Sequence, residues 1–234
     1  MKSCNLSIIL CCFILFFSCS KESQQGIGTD SFTVENSFDL DTESWIAGFA
    51  DYCVGEEAFF ELASGHKFLP PPLNQADGAF FISGNNHSDD LFMFLKKEIA
   101  GLKPNSSYSA KFTIDFASDA PSNWVGIGGP PGEAVVLGIG ITVIEPIKIV
   151  NKNYYEMNID KGNQIKGGPA RKVIGNVANG TDLNQYVLLQ KSGEFNFRTE
   201  NTGKACATVS TDSGFEGTTA LYYSKIKIEF IERL

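Results

Sequence analysis

Residues 108 to 116 alternate without a break: Tyr108, Ala110, Phe112, Ile114 and Phe116 share one face, while Ser109, Lys111, Thr113 and Asp115 share the other. Side chains on extended backbone point to opposite sides with period two, so this segment reads as a strand with one buried face. Such a strand cannot cover its apolar side alone. The rhythm returns near the C-terminus, where Ile226, Ile228 and Phe230 alternate with Lys225, Lys227 and Glu229. Residues 135–144, 173–177, 186–189 and 195–198 are further strands by the same reasoning. The 23 glycines and 9 prolines fall between short segments rich in Phe, Ile, Val and Tyr, as turn punctuation in an all-β chain does. The expectation is an antiparallel β-sandwich.

Residues 88–101 test that expectation, because Ser88, Asp89 and Asp90 at one end and Lys96, Lys97 and Gly101 at the other are helix-terminus signals. The sequel favours a strand. Gly101-Leu102-Lys103-Pro104-Asn105-Ser106-Ser107-Tyr108 resembles the tyrosine corner of Greek-key sandwiches, in which a tyrosine hydroxyl ties back to upstream backbone.

The N-terminal end reads as an address. Met1-Lys2 precedes an apolar run over residues 8–17, too short for a stable bilayer span, and Ser18-Cys19 follows. Residues 1–18 are expected to be a signal peptide. Phe16-Phe17-Ser18-Cys19 resembles the bacterial lipobox, with Phe17 where a smaller or aliphatic residue is usual. The resemblance implies cleavage before Cys19 and lipidation of its thiol, a lipoprotein anchored to the cell envelope, with the outer membrane as the expected site. Several acyl chains on one cysteine hold a protein durably, at about 0.8 kcal/mol per buried methylene. Residues 19–31 then form the lipidated start and a polar tether, and residues 32–234 a single folded domain.

The formal net charge of −8 argues against nucleic acid, whose binding depends on neutralising phosphate with Lys and Arg. It also argues against a polybasic grip on anionic lipid. Of the 6 cysteines, Cys53 and Cys206 alone lie beyond position 19. They read either as a disulfide closing a long loop or as two separately buried thiols.

Residues 32–38, followed by Trp45, resemble the first strands of galactose-binding-like jelly rolls, the architecture of many carbohydrate-binding modules. Residues 219–228 resemble their final strand, which pairs with the first. The chain also resembles bacterial lipoproteins without assigned activity in residues 84–90 and 211–217. The resemblance implies a glycan or other surface-ligand binding module without catalysis. Stacking on sugar rings needs exposed aromatic faces. Trp124, ahead of the glycine- and proline-rich residues 128–132, is the leading candidate, with Tyr154, Tyr155, Tyr222, Asn86 and His87 beside it, whereas Trp45 is expected in the core.

Three polar loops concentrate oxygen ligands: residues 85–90, 158–164 and 211–216. Asp89, Asp90, Asp160, Asp212 and Glu216 are candidate ligands for a structural calcium ion, or turn caps, since Asn, Asp, Ser and Gly are also the ordinary turn residues. Two histidines and two cysteines show no zinc spacing. The alternatives are a polysaccharide hydrolase or lyase using His87 with nearby carboxylates, and a structural envelope protein. Neither a carboxylate pair at glycosidase spacing nor a nucleophile beside a base is legible in the sequence.

Overall fold

The computed structural model describes residues 31–233. The signal, Cys19 and almost all of the tether lie outside the described residues. Sixteen strands form in chain order: β1 Ser31–Asn36, β2 Ile46–Ala50, β3 Tyr52–Cys53, β4 Ala63–Phe68, β5 Gly78–Asn85, β6 Leu91–Ile99, β7 Ser107–Ser118 and β8 Val135–Thr142, followed by β9 Lys148–Asn151, β10 Tyr154–Met157, β11 Gly162–Asn163, β12 Lys166–Gly167, β13 Lys172–Asn176, β14 Val187–Arg198, β15 Ala205–Ser213 and β16 Thr218–Arg233. The described residues contain no helix.

Two sheets carry the structure. The first runs β14-β7-β16-β5-β4, and the second β13-β8-β15-β6-β2. Every pairing is antiparallel, and the whole is a β-sandwich of the jelly-roll type. β16 is long enough to pair along one edge with β5 over Thr218–Tyr223 and with β1 over Ile226–Ile231. First and last strands therefore pair as the jelly-roll resemblance implies.

The core lies between the sheets. Phe112, Ile114 and Phe116 of β7 and Ile226, Ile228 and Phe230 of β16 meet Leu137 and Ile139 of β8, Val209 of β15 and Met93 and Leu95 of β6. The alternation at 108–116 is thus the inner face of β7. Trp45 is buried, and its indole N–H donates to Asn36 Oδ1 at 2.9 Å. Residues 91–99 are a strand despite their helix-like ends. Tyr108 closes its corner by accepting a hydrogen bond from the Lys103 backbone N–H at 3.0 Å. Residues 186–189 and 195–198 prove to be parts of one strand, β14, whose register against β7 is continuous through Gly193.

One feature departs from a simple sandwich. All nine residues of β15 are buried, so both faces of the second sheet are covered. The outer cover is the excursion between β8 and β13, which carries β9 to β12 and brings Lys161 and Arg171 down on the sheet. Glycines make room for it. A Cβ on Gly140 would stand 2.1 Å from the Ala170 carbonyl oxygen, and one on Gly138 would stand 2.4 Å from Arg171 Nε. Glycine inside a strand marks this kind of close approach.

Candidate functional site

Two places concentrate candidate functional side chains, and the turn that follows β15 joins them. Asn86 holds that turn, donating from Nδ2 to the Ser213 carbonyl at 2.9 Å and to the Phe215 carbonyl at 3.0 Å. Asn86 is 1% exposed, so its amide is spent on the fold and does not face a ligand, contrary to its placing among the binding residues. Phe215 then lines an aromatic cleft, while Asp212 floors an acidic pocket.

The cleft has a volume of about 210 Å³ and includes Asp119, Pro121, Trp124, Asn184, Phe215 and Thr218 in its lining. Trp124 is 47% exposed, and its indole N–H donates to the Asp182 carbonyl at 3.0 Å. That bond fixes the ring without using its face. Burial pushes the Asp119 carboxyl above its ordinary value. The neighbouring Val125 and Ile127 are exposed, extending the apolar surface beyond the cleft.

The acidic pocket has a volume of about 300 Å³ and is lined by Asp51, Asp90, Tyr154, Glu156, Asp160, Lys161 and Asn163, among others. Its base is ionic. Lys161 Nζ stands 2.7 Å from Asp51 Oδ2 and 3.0 Å from Asp212 Oδ2, and it lies 4.7 Å from the centre of the Phe92 ring. The Gln164 backbone N–H also donates to Asp212 Oδ2, at 3.0 Å. Arg171 spans the same floor, donating to Ser210 Oγ, the Val136 carbonyl and the Gln164 carbonyl, each at 3.1 Å, with Asp212 Oδ2 at 3.7 Å.

Strand register explains the convergence. Ala50 of β2 and Asp212 of β15 both pair with Phe92 of β6, from opposite sides, so Asp51, Asp90 and Asp212 gather at one end of the outer face. Burial, then the Asp212 and Asp51 charges, push the Asp90 carboxyl up to about 8. Burial raises Asp51 as well, while Lys161 pulls it back. Burial alone would lower Lys161, but Asp212 and Asp51 outweigh it and hold the ammonium charged. Tyr154 is pushed up to about 12 by burial and by the Asp90 and Asp51 charges.

The expected residues therefore divide. Asp90, Asp160 and Tyr154 line the acidic pocket, and Asp212 lies beneath it. Asp89 and Glu216 do not join the carboxylate group; Asp89 accepts from Gln164 Nε2 through its backbone carbonyl at 2.8 Å, and the Glu216 N–H donates to the Ile127 carbonyl at 2.9 Å. Asp160 accepts from the Gly162 N–H at 3.1 Å, capping its turn. Tyr155 packs on Tyr52, with Lys148 over its ring, and Tyr222 packs on Phe81 and Tyr186, so neither Tyr155 nor Tyr222 is an open platform. His87 stacks on Phe59 with ring centres 4.1 Å apart and does not line the acidic pocket.

Cys53 and Cys206 are free thiols, and the disulfide between them is not formed. They sit on different sheets, Cys53 opposite Tyr154 and Cys206 opposite Glu98 and Thr142. Burial pushes the Cys206 thiol up to about 11.

Asp51, Lys161 and Arg171 escaped the sequence reading. Their signal was indirect: Gly138 and Gly140, two residues apart in an apolar strand, announce that another chain segment lies on that face. A further cavity of about 480 Å³ is lined in part by Lys96, Lys97 and Lys204. Its lysines are committed, Lys96 to Glu145, Lys97 to Asn36 and the Glu43 carbonyl, and Lys204 to Glu98, so it presents no free cation.

No protein-family model matches this sequence, and no curated protein is significantly similar to it. Solved structures are similar only loosely. The enzymatically active domain of tailspike protein 4 from Bacteriophage CBA120 matches with 10% identity over 79% of this chain and 19% of its own, at a TM-score of 0.35. A carbohydrate-binding module of the beta-sandwich superfamily matches with 10% identity over 84% of this chain and 61% of its own, at 0.40. The CBM22-1 xylan-binding domain from Paenibacillus barcinonensis matches with 10% identity over 88% and 97%, also at 0.40. This chain thus spans a minor part of the first and about three fifths of the second. Likeness at this level carries no conclusion about function. The sandwich rests on the strand pairing itself, and the function on the sites.

Proposed function

We propose that this chain is a lipid-anchored envelope protein whose β-sandwich binds polysaccharide in the Trp124 cleft without acting on it. One observation carries the reading. Trp124 stands 47% exposed at a cleft while its indole N–H is tied to backbone, which leaves an apolar ring held in place for a sugar ring to stack on. Asp119, Asn184 and Thr218 supply carboxylate, amide and hydroxyl partners for sugar hydroxyls in the same cleft. A site of few well-placed polar groups around an apolar wall is what a small-molecule or glycan subsite requires. Attachment through Cys19 would hold this cleft at the membrane surface within reach of envelope or extracellular glycan.

The test is a polysaccharide pull-down followed by affinity measurement on the retained polymer. Trp124→Ala is expected to weaken binding by about 2 kcal/mol, roughly thirtyfold, as loss of a central aromatic anchor does. Unchanged affinity in that variant, with its thermal midpoint intact, would remove the cleft from consideration.

A further inference from the structure

Asp51, Asp90 and Asp212 each present a carboxylate oxygen, and these atoms lie within 4.8 Å of one another. Oxygens that share one calcium ion at its usual distance of about 2.3–2.6 Å can stand no more than about 5 Å apart, and this set meets that limit.

A second observation asks for a positive centre there. The Asp212 side chain is 0% exposed, and Lys161 and the Gln164 N–H take its Oδ2. Its Oδ1 meets no donor from the rest of the protein, and neither does Asp90 Oδ1, although both atoms are buried; the two carboxyls face each other, and only a shared proton or a cation can join them. Buried carboxylate oxygens are almost always partnered, so two of them left over in one carboxylate cluster are exceptional. Lys161 fixes the other oxygen of Asp212 and does not reach these.

Charge points the same way. Lys161 and Arg171 are matched by Asp51 and Asp212 alone, and Glu156 and Asp160 on the lining add negative charge that no cation of the pocket floor pairs with. The donors are all oxygen, with the Asn163 amide and Tyr154 hydroxyl in the same lining and no histidine or cysteine among it. Such a set suits a hard cation, and a cavity of about 300 Å³ leaves room for the waters that complete its shell.

We propose that Asp51, Asp90 and Asp212 bind one divalent cation of the hard, oxygen-seeking class, calcium, in this pocket. The ion joins the turn after β2, the start of β6 and the end of β15, and so fastens three segments distant in sequence. It shares Asp90 and Asp212 with the ligand set expected from sequence and replaces Asp89 and Glu216 with Asp51. The site is independent of the glycan reading, since none of its ligands lines the Trp124 cleft.

The full chain, stripped with chelator, is titrated with calcium chloride by calorimetry and by thermal unfolding. One ion per chain and a midpoint rise of roughly 5–10 °C at a hundredfold excess over Kd are expected. Asp90→Asn should weaken the affinity at least about tenfold, and Asp89→Asn should leave it unchanged. Terbium provides a readout that needs no acid variant: tyrosine-sensitised emission should appear on binding, fall in Tyr154→Phe and be displaced by calcium. A flat midpoint with no heat of binding overturns the proposal. So does equal calcium affinity in the wild type and a folded Asp90→Asn variant.

Discussion

Replacing Lys161 with methionine removes the ammonium that neutralises two buried carboxylates while keeping most of the side-chain volume over Phe92. Lys161 and Asp51 have side chains 9% exposed and Asp212 0%, so water cannot take over the lost pairing. Removing one partner of a buried ion pair costs about 3–5 kcal/mol. Two features place this case near the lower end. Arg171 remains 3.7 Å from Asp212, and Asp51, already pushed up by burial, can escape by taking a proton. A loss of about 3 kcal/mol corresponds to a midpoint lower by roughly 6–12 °C for a domain of this size. The assay is thermal unfolding by circular dichroism near neutral pH in chelator, repeated in about 0.5 M salt, where a buried pair is screened little. Adding Asp51→Asn to Lys161→Met should recover part of the loss, because one orphaned charge is gone. A shift below about 2 °C, or one abolished by salt, would refute the view that this pair holds the cover on the sheet.

Asp90 gives a pH dependence of defined sign. Its folded-state value of about 8 lies above its ordinary 3.8, so the folded protein holds the proton more tightly than the unfolded chain does. The resulting stability is fully present below about pH 3.8 and is lost as pH rises toward about 8. In chelator, the unfolding midpoint should fall between about pH 6 and pH 8.5, and Asp90→Asn should flatten that decline; a decline of equal slope in both proteins would contradict the assignment. Cys19→Ser should move the protein from the membrane to the soluble fraction on cell fractionation, and retention of the variant in membranes would argue against the thioether anchor.

The sandwich was legible because period-two alternation at 108–116 and 225–230 leaves a chain no other way to bury one face of each segment. The tyrosine corner and the pairing of first and last strands came instead from the resemblance of residues 101–108, 32–38 and 219–228 to Greek-key and jelly-roll sandwiches. The site was only half legible. Loops rich in Asp, Asn and Gly showed where oxygen ligands are abundant, and the exposure of Trp124 followed from its glycine- and proline-rich surroundings. Asn86 belonged to the same loop pattern yet is consumed by the turn at Ser213 and Phe215, a commitment that local composition does not encode.

Sequence alone determined the strand type, the turn positions and the acidic balance of this protein, because these depend on neighbours within a few residues. Tertiary structure decided which acids meet. Asp51, Asp90 and Asp212 converge because β2, β6 and β15 lie side by side in register, and Lys161 and Arg171 reach them because two glycines on β8 let a distant segment settle on the sheet. Those distances are set by strand order across the fold, which no local pattern along the chain specifies.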